Sequence, residues 1–259
     1  LTTKMEDSDM TRDLDADHRP WPLPQRPWVM KQTWDRLLFA HWPVRPDELR
    51  DLIPRELTLD TFDGAAWVAV VPFGMSGIRL RGLPPIPGTA AFPEINVRTY
   101  VAHQGKPGVY FFSLDATNPV AVASARRFFR LPYVRADISV DSTAEGVVHY
   151  RSRRTHRNAA PAEFVAWYAP VSEPFRAAAG SLERWLTERY ALYTVRRGDV
   201  YRGDIHHDPW PLQLAQADIR TNTMAAAAGI ALSDAPPLLH YAHKLDVLLW
   251  TLEKTLEKG

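Results

Sequence analysis

Residues 94–116 constrain the fold of this chain more than any other segment, because two extended runs meet there across a glycine-bearing turn. In an extended chain, side chains alternate between two faces. Glu94, Asn96, Arg98 and Tyr100 therefore share one face, and Ile95, Val97, Thr99 and Val101 share the other. Residues 94–104 and 109–116 flank Gly105, Lys106, Pro107 and Gly108, read as a four-residue loop. Counting back symmetrically from that loop places Arg98 opposite Asp115, Tyr100 opposite Ser113 and Val101 opposite Phe112. The expected hairpin has an apolar face and a face carrying a charge pair among hydrogen-bonding groups.

Other segments repeat the strand signal. Asp63-Gly64 suits a type I′ turn, which pairs Leu59 with Val68 and Leu57 with Val70. Further strands are expected at 131–140, 146–154, 163–169, 191–196, 200–206, 210–218 and 239–253, with turns at Glu145-Gly146 and Gly198-Asp199. Helices are few. One spans 45–53, where Pro46, Asp47 and Glu48 suit a helix N-terminus, and another runs from Asn118-Pro119 to about residue 130. Shorter ones are expected at 181–190 and 221–229. Residues 1–19 read as a disordered tail, the proline-rich WPLPQRPW (21–28) as an extended surface segment, and 20–259 as a single domain. Successive hairpins with a few scattered, peripheral helices give an α+β class, a mostly antiparallel domain whose sheet is either open or closed into a β-barrel.

Composition excludes several function classes. With 31 basic and 30 acidic residues in 259, net charge is +1, too weak a field to imply nucleic acid or an anionic membrane. Arg151, Arg153, Arg154 and Arg157 form a basic run without interleaved aromatics, which fits an exposed strand whose charges deter edge pairing better than a nucleic-acid contact. Absent cysteines remove thiol catalysis and cysteine-ligated metal. His206 and His207 fall on opposite faces of a strand, as do His240 and His243, so no metal site is expected, and no cofactor motif is present. No apolar run approaches the roughly 20 residues of a membrane helix, and no secretory signal is visible, so the expected location is cytoplasmic. A homo-oligomer remains compatible with the sequence.

The blocks TWDRLLFAHWPV (33–44), LTLDTFDGAAWVAVVPFGM (57–75), FPEINVRTYV (92–101), GVYFFSLDA (108–116), ARRFFRLPYVRA (125–136) and KLDVLLWTLE (244–253) together resemble the YqjF-like family of uncharacterised bacterial proteins. That family is placed in the acetoacetate decarboxylase-like superfamily, so the resemblance implies a β-barrel around a cavity across residues 20–253. It also implies where chemistry would sit. Decarboxylases of the superfamily carry an aromatic-Pro-Lys-Lys motif whose lysine forms a Schiff base. Here the similar segment is Leu131-Pro132-Tyr133-Val134, without either lysine. Of six lysines in the chain, only Lys31 and Lys244 are placed to reach an interior, and neither has a lysine beside it. The Schiff-base step needs a nucleophilic amine, so the resemblance extends to the fold and not to that activity.

Read alone, the Glu94–Tyr100 alternation describes a solvated face; the resemblance turns it inward. In that reading Glu94 is a candidate general acid or base. Asn96, Arg98, Tyr100, Asp115, Arg126 and Tyr133 are candidate ligand-binding groups, with Arg98 suited to bidentate carboxylate recognition and Tyr133 standing where the lysine is missing. His41 reads as a core histidine. Three functional readings follow. The first is a barrel that binds an anionic or carbonyl-bearing metabolite. The second is a lyase- or hydrolase-type enzyme using Glu94 with Arg98 and Tyr133, and the third is a protein-interaction module.

Overall fold

A computed structural model describes residues 14–84, 91–118, 122 and 130–256. In chain order its elements are β1 (Met30–Val44), α1 (Pro46–Arg50), β2 (Thr58–Leu59), β3 (Ala66–Leu80), β4 (Ala91–His103), β5 (Lys106–Ala116), β6 (Tyr133–Ser142), β7 (Val148–Arg154), β8 (Glu163–Pro170), α2 (Leu182–Thr187), β9 (Ala191–Arg196), β10 (Asp199–His206), β11 (Leu212–Asn222), β12 (Leu238–Leu249) and β13 (Glu253–Lys254). Ala226–Ala228 form a single 3₁₀ turn. Strand pairings trace two closed circuits. One runs β5-β6-β7-β8-β11-β12-β1-β3-β4 and back to β5; the other runs β12-β1-β3-β4-β5-β9-β10 and back to β12. All pairings are antiparallel except β5 with β6 and β5 with β9. The α+β class, with a β-barrel and few helices, is the observed architecture.

The circuits share β12, β1, β3, β4 and β5, so the two faces of these strands look into different compartments. Leu38, Val70, Ile95 and Val97 from one face pack with Tyr150, Phe164 and Tyr168 into the largest apolar cluster of the wider circuit. Alternate residues, among them Leu37, Val71, Phe73 and Glu94, face the narrower circuit, which holds a cavity. Strand β1 serves both compartments through a kink at Arg36, whose φ is +50°. Gly74 lies opposite Asp35. A Cβ on Gly74 would stand 2.6 Å from Asp35 Oδ1, so a larger residue there would have to push the Asp35 carboxylate aside.

Several expectations are corrected. The 94–116 hairpin turns on two residues, Gln104 and Gly105, both with positive φ, because such a turn matches strand twist. That turn places Arg98 opposite Phe111, Tyr100 opposite Val109 and Val101 opposite Gly108, and a bulge at the Val97–Arg98 step then shifts the pairs beyond it by one residue. Asp115 faces Ile95 instead of Arg98, a displacement of three residues that sends its side chain to the other face of the sheet. Asp63 and Gly64 do form a positive-φ turn, but only Phe62 and Ala65 pair across it. Leu59 pairs with Val101, since both edges of β3 are taken by the longer β1 and β4. The turn between β9 and β10 uses Arg197 and Gly198.

Residues 221–229 continue β11 into the 3₁₀ turn and form no α-helix. The basic strand β7 is paired on both sides and is no edge. Part of the expected tail is packed, because Arg19 is buried and donates to the carbonyl of Ile205 at 2.7 Å. The helix expected over 118–130 lies outside the described residues. Among the described residues, no helix is long and apolar enough to cross a membrane.

Candidate functional site

The cavity measures about 190 Å³. Its wall is largely apolar. Trp34, Phe73 and Trp210 form an aromatic side, with Trp34 and Trp210 stacked at 6.1 Å and Trp34 edge-on to Phe73 at 5.5 Å. Strand β4 supplies the polar strip Glu94, Asn96 and Arg98. Alternation along β4 puts the three on one face, and closure of the narrower circuit turns that face inward.

Glu94 is 2% exposed. Burial pushes its carboxyl up to about 8, the Tyr133 hydrogen bond opposes the rise, and the Asp115 charge adds to it. The Tyr133 hydroxyl donates to Glu94 Oε2 at 2.8 Å, and the Tyr150 hydroxyl donates to the Glu94 carbonyl at 2.8 Å. Burial, with the adjacent Glu94, holds the Tyr133 phenol well above its usual range. At neutral pH the pair is thus mostly uncharged, and a protonated Glu94 is a hydrogen-bond donor as well as an acceptor.

Arg98 is the opposite case. It is buried, its guanidinium lies 5.4 Å from the Phe39 ring centroid and 6.0 Å from that of Tyr100, and it makes no ion pair among the described residues. Arg189 lines the same cavity, but its charge is answered by Asp60 at 2.7 Å. It is stacked on Trp185 at 4.2 Å and held by the Trp185 carbonyl at 2.6 Å. His207 joins Gln32 and Thr187 in the rest of the polar lining. Its Nδ1 donates to the Asp208 carbonyl at 2.7 Å, which leaves Nε2 as an acceptor. Burial brings its pKa down to about 4, so the ring is neutral near pH 7. With Glu94 protonated and Arg189 paired, the Arg98 cation is left as the cavity's unbalanced charge.

Four of the sequence candidates, Glu94, Asn96, Arg98 and Tyr133, line the cavity. Tyr100 lies behind the wall, fully buried, its hydroxyl 2.6 Å from His41 Nε2. Asp115 faces the other compartment. Arg154 grips it with Nε at 2.7 Å and Nη2 at 2.8 Å. Arg126 lies outside the described residues. Sequence reasoning missed Trp34, Arg189, His207 and Trp210. The period-two spacing of Met30, Gln32 and Trp34 was a usable signal for the first. Arg189 follows a short helix capped by Ser181 and had none. Among the described residues no lysine lines the cavity. Lys31 is paired with Asp246 at 2.8 Å, and Lys244 is exposed. No group of three or more His, Asp or Glu side chains among the described residues is arranged to hold a metal ion.

Comparison with known proteins agrees with this architecture. The model of the DUF2071 family of uncharacterized conserved proteins matches residues 31–246. The chain is 51% identical over 232 residues to the uncharacterized protein YqjF of Bacillus subtilis (strain 168), covering 90% of this chain and 95% of that protein. Acetoacetate decarboxylase from Legionella pneumophila superposes with a TM-score of 0.60 at 12% identity, over 94% of this chain and 97% of that one. The enduracididine biosynthesis enzyme MppR, complexed with pyruvate, superposes with a TM-score of 0.58 at 13% identity, over 93% and 95% of the two chains. At such identities the two structural matches speak for the fold alone.

Proposed function

The chain belongs to the DUF2071 family of uncharacterized conserved proteins, and from that premise we propose that it is a small-molecule-binding barrel whose cavity takes an anionic or carbonyl-bearing metabolite without Schiff-base decarboxylase chemistry. The observation that carries this reading is Arg98, a buried guanidinium at the cavity wall with no acidic partner among the described residues. Leaving a buried charge unanswered is costly, and a ligand carboxylate accepting bidentate hydrogen bonds would offset that cost. The pyruvate held by the structurally similar MppR is a ligand of this class. Against Schiff-base chemistry stand the sequence resemblance, which puts Tyr133 where the decarboxylase motif has its lysine, and a cavity that no described lysine lines.

A thermal-shift screen of small carboxylic and keto acids against the wild type and Arg98→Met tests the reading. A ligand at 100 times its Kd adds about 2.7 kcal/mol, roughly 5 °C or more in a domain of this size. That shift is expected in the wild type and absent in Arg98→Met. Equal shifts in both would remove Arg98 from the site. Borohydride treatment with the same keto acids is expected to leave the protein unmodified, and a trapped adduct on any lysine would overturn the exclusion of amine chemistry.

A second reading rests on Glu94. A carboxyl titrating near 8 beside a 2.8 Å phenol is matched to proton transfer near neutral pH. Glu94 would then serve as acid or base in a lyase- or hydrolase-type reaction, with Arg98 and Tyr133 orienting the substrate. Incubating each acid found in the screen with the protein and following it by NMR tests this; turnover abolished in Glu94→Gln would establish it, and an unchanged acid would refute it.

A further inference from the structure

Arg98 is connected to the aromatic side of the cavity through Phe39, which packs behind the wall. Its guanidinium lies 5.4 Å from the Phe39 ring, Phe39 meets Trp210 edge-on at 5.0 Å, and Trp210 stacks on Trp34, which in turn meets Phe73. Cation and aromatic wall are thus neighbours. A cavity of about 150 Å³ lined by aliphatic and aromatic side chains is known to hold benzene, and this one is somewhat larger, at about 190 Å³. A three- or four-carbon acid seated on Arg98 would leave most of that space and the indole faces uncovered. A phenyl ring joined to a carboxylate by a short linker would fill both.

We propose that the preferred ligand is an aryl-substituted short-chain carboxylic acid, with the carboxylate on Arg98, the ring against Trp34, Phe73 and Trp210, and any carbonyl or hydroxyl substituent directed to the Glu94–Tyr133 pair. This rests on the ligand class inferred above and narrows it. Ring burial supplies affinity because apolar area removed from water is worth about 25 cal/mol per Å². The guanidinium supplies orientation, because a neutral ring leaves it unanswered.

Calorimetric titration of propionate, acetoacetate, phenylacetate, 3-phenylpropionate and benzyl alcohol into the full-length protein separates the alternatives. Phenylacetate or 3-phenylpropionate should bind at least about tenfold more tightly than either short acid, and benzyl alcohol more weakly than both aryl acids. Two variants extend the test. Val71→Phe fills part of the cavity from β3 and should weaken aryl-acid binding far more than propionate binding. Trp34→Leu, at a partly buried position, should weaken aryl acids several-fold more than it weakens propionate. Circular dichroism and melting curves confirm that each variant is folded before it is titrated. Short and aryl acids of equal affinity would overturn the aryl preference while leaving the anion site standing. Benzyl alcohol matching the aryl acids, or no acid binding at all, would overturn both.

Discussion

Two buried arginines in this barrel have opposite surroundings. Arg154, at the end of β7, is saturated. Two of its nitrogens hold the Asp115 carboxylate, Nη2 also reaches Ser113 Oγ at 3.0 Å, and Nη1 donates to the Ala160 carbonyl at 3.0 Å. Arg98, three strands away on β4, beyond β6 and β5, has aromatic rings beside it and no carboxylate among the described residues. A guanidinium that helps hold a fold together is given its counterion by the chain itself. One left open at a cavity wall leaves that counterion to be supplied from outside. The separation is topological, because β4 and β5 send alternate side chains into two compartments and only one is filled.

The largest expected effect comes from breaking the satisfied pair. Asp115→Ala strands Arg154 in the filled compartment and should cost about 3–5 kcal/mol, read as a lowered urea midpoint. Next is Glu94→Gln. The Glu94 carboxyl titrates near 8 folded and near 4.5 unfolded. Between those values the folded state holds the extra proton, so wild-type stability falls as pH rises through that window. Glu94→Gln removes the dependence. The two proteins should be equally stable at pH 4, with the variant ahead by roughly 3 kcal/mol at pH 7. A constant difference across pH would show that folding leaves the Glu94 pKa at its unfolded value.

Arg98→Met follows, replacing an unanswered cation with an apolar chain of similar length. It should raise stability by about 1–3 kcal/mol, the reverse of Asp115→Ala, and a loss instead would mean that Arg98 has found a protein counterion. The smallest effect is that of Tyr133→Phe. Removing the donated hydrogen bond from Glu94 Oε2 takes away the influence that lowers its pKa. The pH window should therefore extend upward, with a change of no more than about 1 kcal/mol.

How much of this was legible in the sequence depended on phase. On β4 the period-two pattern runs unbroken from Glu94 to Arg98, and the polar strip could be read directly. On β1 the kink at Arg36 changes the phase, so Gln32 and Trp34 reach the cavity before it and Leu37 after it, and no single alternation reveals the strand. Asp115 was misplaced because a two-residue turn and a distant bulge together shift the register by an odd number, which local sequence does not disclose. Which way the polar face turned came from family resemblance, since alternation alone fits an outer surface equally well. Arg189 and His207 enter through closure of β9 and β10 onto the shared strands, a long-range pairing without a local signature.

The most direct test is a crystal structure of the wild-type protein grown with phenylacetate. The account predicts density for the acid inside the narrower circuit, its carboxylate oxygens within about 3 Å of the Arg98 guanidinium nitrogens and its ring against Trp34 and Trp210. Arg98 turned onto a carboxylate of the chain itself, or the acid bound elsewhere with this cavity left to water, would contradict it.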